Sequence, residues 1–98
     1  MKHFLLIYDY VPDFKDKRQP FRGAHLDLAR TSAARDELQL GGALADDPPM
    51  GVLLFKAESA ALVEAFAAAD PYVANGVVRE WRVREWVTVV GEGALTAL

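Results

Sequence analysis

A chain of 98 residues has room for one domain with a single core of modest size. Its 52% hydrophobic and 26% charged residues are the proportions of a soluble globular protein, and no run of about 20 apolar residues offers a membrane span. A net charge of −3 with seven scattered arginines argues against gripping nucleic-acid phosphates, and the lack of cysteine removes disulfides, thiolate metal sites and cysteine nucleophiles together.

Met1-Lys2-His3-Phe4 runs straight into a short apolar stretch without a small-residue cleavage site, so a signal peptide is not expected and the cytoplasm is the expected location. Lys2 to Val11, rich in aromatic and branched residues, reads as a first strand. Pro12 to Gln19 is polar and reads as a loop. Pro20 suits the first turn of a helix, where its missing N–H costs nothing, and that helix is expected to run to about Leu38. Gly41-Gly42-Ala43-Leu44 suggests a bent second strand, and Asp46-Asp47-Pro48-Pro49 a turn. Gly51 to Ala57 reads as a third strand. Ser59 is placed to cap a helix running through Ala69, and Val77 to Val90 reads as a long last strand. The order β-α-β-β-α-β is that of a ferredoxin-like α+β domain with an antiparallel four-stranded sheet. No linker or repeat divides the chain. It reads as one domain over residues 1–98, with 91–98 as a flexible or docking tail, apolar at Leu95 and Leu98.

Alternation in the first strand sends Leu5 and Ile7 to one face and Phe4, Leu6, Tyr8 and Tyr10 to the other. Both faces are apolar, yet two helices cover only one face of a four-stranded sheet. A second copy of the sheet is the simplest cover, so a homodimer joined through sheet faces is expected; the alternative is a monomer with a ligand groove across the open face. Trp81 and Trp86, five residues apart, fall on opposite faces of a regular strand unless a bulge realigns them, and read as core and dimer packing, with substrate stacking as the alternative. Arg79, Arg82 and Arg84 alternate with Glu80 and Glu85 as a charge-balanced solvated face.

On a helical wheel Phe21, Leu28, Ala29 and Ser32 surround His25, whereas Asp27, Arg30 and Glu37 lie well away. His25 thus sits in the inward stripe of the first helix, either as a core histidine satisfied by one hydrogen bond or as a working base. Asp70, followed by Pro71, ends the second helix, where the helix dipole disfavours a carboxylate. Its plainer role is to start the next turn. With the two helices side by side on one sheet face, the pair can meet. A carboxylate accepting from one imidazole nitrogen fixes the tautomer and leaves the other nitrogen a better base. Such a pair suits proton abstraction beside a carbonyl or phenol, hence isomerisation or elimination. Arg22, one turn before His25, suits an anion clamp by bidentate hydrogen bonds, or an ordinary surface ion pair. Tyr72 is placed to bind substrate or to pack, and Tyr8 and Asp9 at the end of the first strand are further candidates. His3 and His25, the only imidazoles, lie in different elements, so no metal site is expected. Gly41-Gly42 lacks the lysine and helix start of a phosphate loop, and no cofactor is implied.

Arg22-x-x-His25-Leu26, Gly42-Ala43-Leu44, and Ala69-Asp70-Pro71-Tyr72-Val73 followed by Gly76-Val77 together resemble the signature of the YciI-like (YCII-related) family, over nearly the whole chain. The Asp46–Pro49 turn is shorter than many loops of that family. The resemblance implies a ferredoxin-like subunit of a dimeric α+β barrel, with His25 and Asp70 as a catalytic pair in a pocket. It implies a cofactor-free lyase or isomerase acting on a small metabolite of aromatic or lactone type. The alternative is a homodimer that binds a small ligand without turning it over, or that is purely structural.

Overall fold

The computed structural model describes residues 1–96. Its first strand, β1 (Lys2–Tyr10), is central in the sheet, paired antiparallel on one side with β3 (Met50–Ala57) and on the other with β4 (Val78–Trp86). The edge strand β2 (Leu38–Ala43) completes the order β2-β3-β1-β4. Helix α2 (Arg22–Ala34) connects β1 to β2, and α3 (Ala60–Ala69) followed by one turn, α4 (Pro71–Ala74), connects β3 to β4. The architecture is the ferredoxin-like α+β arrangement that the element order predicts.

Phe4, Leu6, Tyr8 and Tyr10 of β1 form one buried row with Leu53 and Phe55 of β3, and Val63, Phe66 and Ala67 of α3 close over them. Leu28 and Ala29 of α2 pack against the same cluster. Gly51 is required by this packing, because a Cβ there would overlap the Tyr10 hydroxyl. The opposite face is that of Leu5 and Ile7, which register with Leu54 and Val52 of β3. Leu40 and Trp86 extend this face at the two sides, 73% and 48% exposed. Trp81 pairs with Tyr8 and Trp86 with His3, so the two tryptophans do take opposite faces.

Several boundaries differ from the sequence-based expectation, among them that of β2, which starts at Leu38 rather than Gly41. Residues within Pro12–Gln19 are not all loop: Phe14–Lys17 forms a helical turn, α1, whose Phe14 is buried and stacks on Tyr10. Gln19–Phe21 is a 3-10 turn, so the regular helix starts at Arg22. That helix stops at Ala34, not Leu38. Asp36 adopts a left-handed φ of 62°, its N–H donating to Ala33 and that of Glu37 to Ser32, a reverse turn that releases Leu38 into β2. The last strand ends at Trp86, in the His3–Trp86 pair, and Val87–Val90 do not continue the pairing with β1. The chain instead folds back on itself: Thr96 N donates to Thr88 O, and Thr88 Oγ1 accepts from Leu95 N and lies 2.7 Å from His3 Nδ1. Leu98 lies outside the described residues. Ser59 caps α3 as expected, accepting from Ala61 N.

Candidate active site

Asp70 stands at the junction of two helices, as the last cap of α3 and the first cap of α4. Its backbone leaves the helical region (φ −75°, ψ 122°), as a residue before proline must, and Pro71 occupies the first position of α4. The α3 dipole alone disfavours a carboxylate here, but three donors offset it. Tyr72 N donates to Oδ1 at 2.9 Å, Tyr8 Oη to Oδ2 at 2.7 Å, and His25 Nδ1 approaches Oδ1 at 2.9 Å and Oδ2 at 3.0 Å. The turn-starting and histidine-binding roles of Asp70 are therefore met by the same group. Its side chain is 0% exposed, and burying a carboxylate is tolerable only when it is paired and hydrogen-bonded in this way.

A carboxylate only accepts, so His25 Nδ1 must be the protonated nitrogen of this contact. In the neutral ring Nε2 then carries a lone pair, and it has no hydrogen-bond partner among the described residues. The ring is stacked on one face. It lies flat on the Tyr72 ring, with centroids 3.8 Å apart and an interplanar angle of 5°.

His25, 13% exposed, lines a cleft of about 320 Å³ between the start of α2 and the edge strand β2. Tyr10, Arg18, Arg22 and Tyr72 share its wall, together with Gly41 and Gly42 of β2. Burial pushes the Tyr10 phenol up to about 12, with the neighbouring Tyr72 adding to the effect, so it stays a donor at neutral pH. Burial raises Tyr72 in the same direction. The Tyr8 phenol is pushed well above the ordinary phenol range, first by burial and then by the charge of Asp70, and it holds its proton toward that carboxylate.

Of the residues singled out from the sequence, His25, Asp70 and Tyr72 come together, and Arg22 opens the same cleft. Tyr8 does not line it. Tyr8 is fully buried and donates to Asp70 from behind, away from the cleft wall where the expected substrate-binding role would place it. Asp9 is occupied elsewhere, 2.9 Å from Arg82 in an ion pair. Two lining residues, Tyr10 and Arg18, escape the sequence reading. Tyr10 looks like one more core aromatic, and Arg18 sits in a stretch that reads as polar loop. Among the described residues no three His, Cys, Asp or Glu side chains gather as metal ligands would, and no helix is long and apolar enough to cross a membrane.

The sequence profile of the YCII-related domain matches residues 1–87. Among solved structures, 5-chloro-2-hydroxyhydroquinone dehydrochlorinase (TftG) from Burkholderia phenoliruptrix AC1100, in complex with 2,5-dihydroxybenzoquinone, is similar to this chain. The TM-score is 0.74 and the identity 26%, covering 89% of this chain and 95% of that one. No curated protein matches the sequence.

Proposed function

The chain belongs to the YCII-related family, and on that footing we propose that it is a cytoplasmic, homodimeric lyase or isomerase that acts without a cofactor on a small hydroxylated aromatic or lactone-type metabolite. The observation that carries this reading is the His25–Asp70 contact: a buried carboxylate holds Nδ1, and Nε2 has no hydrogen-bond partner on a ring that lines the cleft. The similarity to a dehydrochlorinase supports elimination as the reaction type.

In this mechanism Nε2 takes a proton from a substrate hydroxyl or from an activated carbon. The freed electron pair moves into the adjacent ring or carbonyl. It then either expels a leaving group, which departs with its bonding pair, or is reprotonated at another carbon by the imidazolium. Asp70 stabilises the imidazolium and keeps its orientation, Tyr8 and the Tyr72 N–H fix Asp70, and Arg22 supplies a cation at the cleft mouth.

The test is turnover of a panel of halogenated hydroxyhydroquinones, followed by halide release, and of unsaturated lactones, followed by absorbance. A positioned general base contributes about 10²–10⁴-fold, so His25→Asn is expected to lower kcat by that order, and Asp70→Asn to lower it with KM changing far less. Undiminished turnover in His25→Asn rules out the base. Binding without turnover of any compound points to the non-catalytic ligand-binding alternative.

A further inference from the structure

We propose that Arg18 is the specificity-determining residue of this cleft and that it selects ligands whose ring carries a negative charge. The inference rests on the cleft's being the ligand site.

The cleft is cationic in an acidic protein. The chain has a net charge of −3, yet the side chains lining the cleft include Arg18 and Arg22 and no carboxylate. Asp70, the nearest acid, lies behind the histidine with both oxygens engaged. Neither arginine makes an ion pair among the described residues, whose four pairs lie elsewhere or in the His25–Asp70 contact itself.

The two arginines are not equivalent. Arg22 is exposed, where water and salt screen its charge. Arg18 is half-buried, and its Nε is fully buried without a partner. That Nε lies out of reach of a cleft ligand, so the terminal guanidinium nitrogens, which make no ion pair among the described residues, are the donors for an anionic oxygen. The Arg18 main chain is held at both ends, its N–H donating to Phe14 O at 2.8 Å and its carbonyl accepting from Phe21 N at 2.9 Å. Its guanidinium carbon lies 5.2 Å from the centroid of the Phe14 ring. Little side-chain freedom remains to be lost on binding.

A row of rings leads from this cation to the base. Phe14 stacks on Tyr10 at 4.6 Å, Tyr10 meets Tyr72 edge-on at 6.4 Å, and Tyr72 stacks on His25. Tyr10 and Tyr72 also wall the cleft, and Arg18's charge reaches both phenols, opposing the rise that burial imposes on them. A flat ring lying against these tyrosines has its charged substituent directed to Arg18 and its opposite side to His25. An acidic hydroxyl already ionised at neutral pH, or a ring carboxylate, is the chemistry that fits.

The test uses benzoate and benzamide, near-isosteric rings that differ by one charge, titrated at one pH and low salt by calorimetry. The wild-type protein is expected to prefer benzoate by about 10- to 100-fold, the range of one charge-assisted hydrogen bond. Arg18→Gln should abolish that preference while leaving benzamide affinity within about twofold, and Arg18→Lys, which keeps charge and stem, should restore part of it. Arg22→Gln should weaken benzoate less than Arg18→Gln does. Equal affinity for both probes in the wild type, a preference that survives Arg18→Gln, or failure of both probes to bind overturns the proposal. His25→Asn separates it from the catalytic reading. A benzoate preference that persists in a protein without turnover of any panel compound supports the Arg18 assignment while the proposed reaction fails.

Discussion

Asp70 receives its donors from three parts of the fold: Tyr8 from the central strand, Tyr72 N–H from its own turn, and His25 from the facing helix. Tyr8 does not line the cleft, although its ring meets Tyr10 edge-on, so loss of its hydroxyl alone tests the support rather than the cleft. Loss of its hydroxyl leaves a buried carboxylate one donor short, and Tyr8→Phe is expected to cost about 1–3 kcal/mol at neutral pH. The phenol's ionisation gives this contact a pH signature. Its folded-state value lies above the ordinary 10.0, for reasons of burial and then of Asp70. Below pH 10 both folded and unfolded chains hold the proton, and the contribution is constant. Above it the unfolded chain releases the proton while the folded one keeps it, so stability falls as pH rises. Tyr10 and Tyr72 are shifted the same way and steepen the fall. Denaturant melts across pH 7–11 should show the loss beginning near pH 10 and shallower in Tyr8→Phe. An alkaline slope unchanged by that substitution contradicts the assignment. At this scale His25 and Asp70 were legible because each is out of place in its element, a histidine in an apolar stripe and an acid at a helix C-terminus. Arg18 was not, because nothing local distinguishes an arginine in a polar segment from a solvated one.

The elements themselves were legible wherever pattern and cap agree. Ser59 before an alanine-rich run yields a capped helix, and the alternation of β1 separates the core row from the open face. The boundaries that shifted depend on partners distant in sequence. Val87–Val90 has the composition of a strand, but strand length is set by pairing, and the pairing with β1 ends at His3–Trp86 while Thr88 bonds to Leu95 and Thr96 instead. Asp36 ends α2 by adopting a left-handed backbone that aspartate tolerates better than most residues. Its carboxylate pairs with Lys56 of β3, which ties the turn to the sheet. The short α1 depends on the burial of Phe14 against Tyr10, a tertiary contact that propensity alone does not report. These local departures position the cleft: α1 brings in Arg18, and the early stop of α2 lets Gly41 and Gly42 form its opposite wall.

Over the whole molecule, both helices lie on one side of the sheet and leave Leu5, Ile7, Leu40, Val52, Leu54 and Trp86 on the other. The Asp9–Arg82 pair lies on this same face, and the register puts Lys56, which pairs with Asp36, on it as well. An apolar face of this extent is what a second copy of the sheet would cover, and a stable dimer needs about 1,000 Å² or more of total buried surface. The prediction is a dimeric mass by light scattering at micromolar concentration. Trp86→Glu combined with Leu40→Glu should shift it toward monomer, because both side chains are already exposed in the single chain and a charge there harms the interface more than the fold. A wild-type protein that stays monomeric, or a double variant that stays fully dimeric, contradicts the face-to-face arrangement. This feature was readable from β1 alone, since its two apolar faces need two covers.

Long-range ¹H–¹⁵N NMR of the imidazole reads directly whether Asp70 fixes His25 in the one tautomer that leaves Nε2 as the base. The proposed pairing requires, for the neutral ring, a proton on Nδ1 protected from exchange and an unprotonated Nε2, with both features lost in Asp70→Asn. A neutral ring protonated at Nε2, or one indifferent to Asp70→Asn, contradicts it.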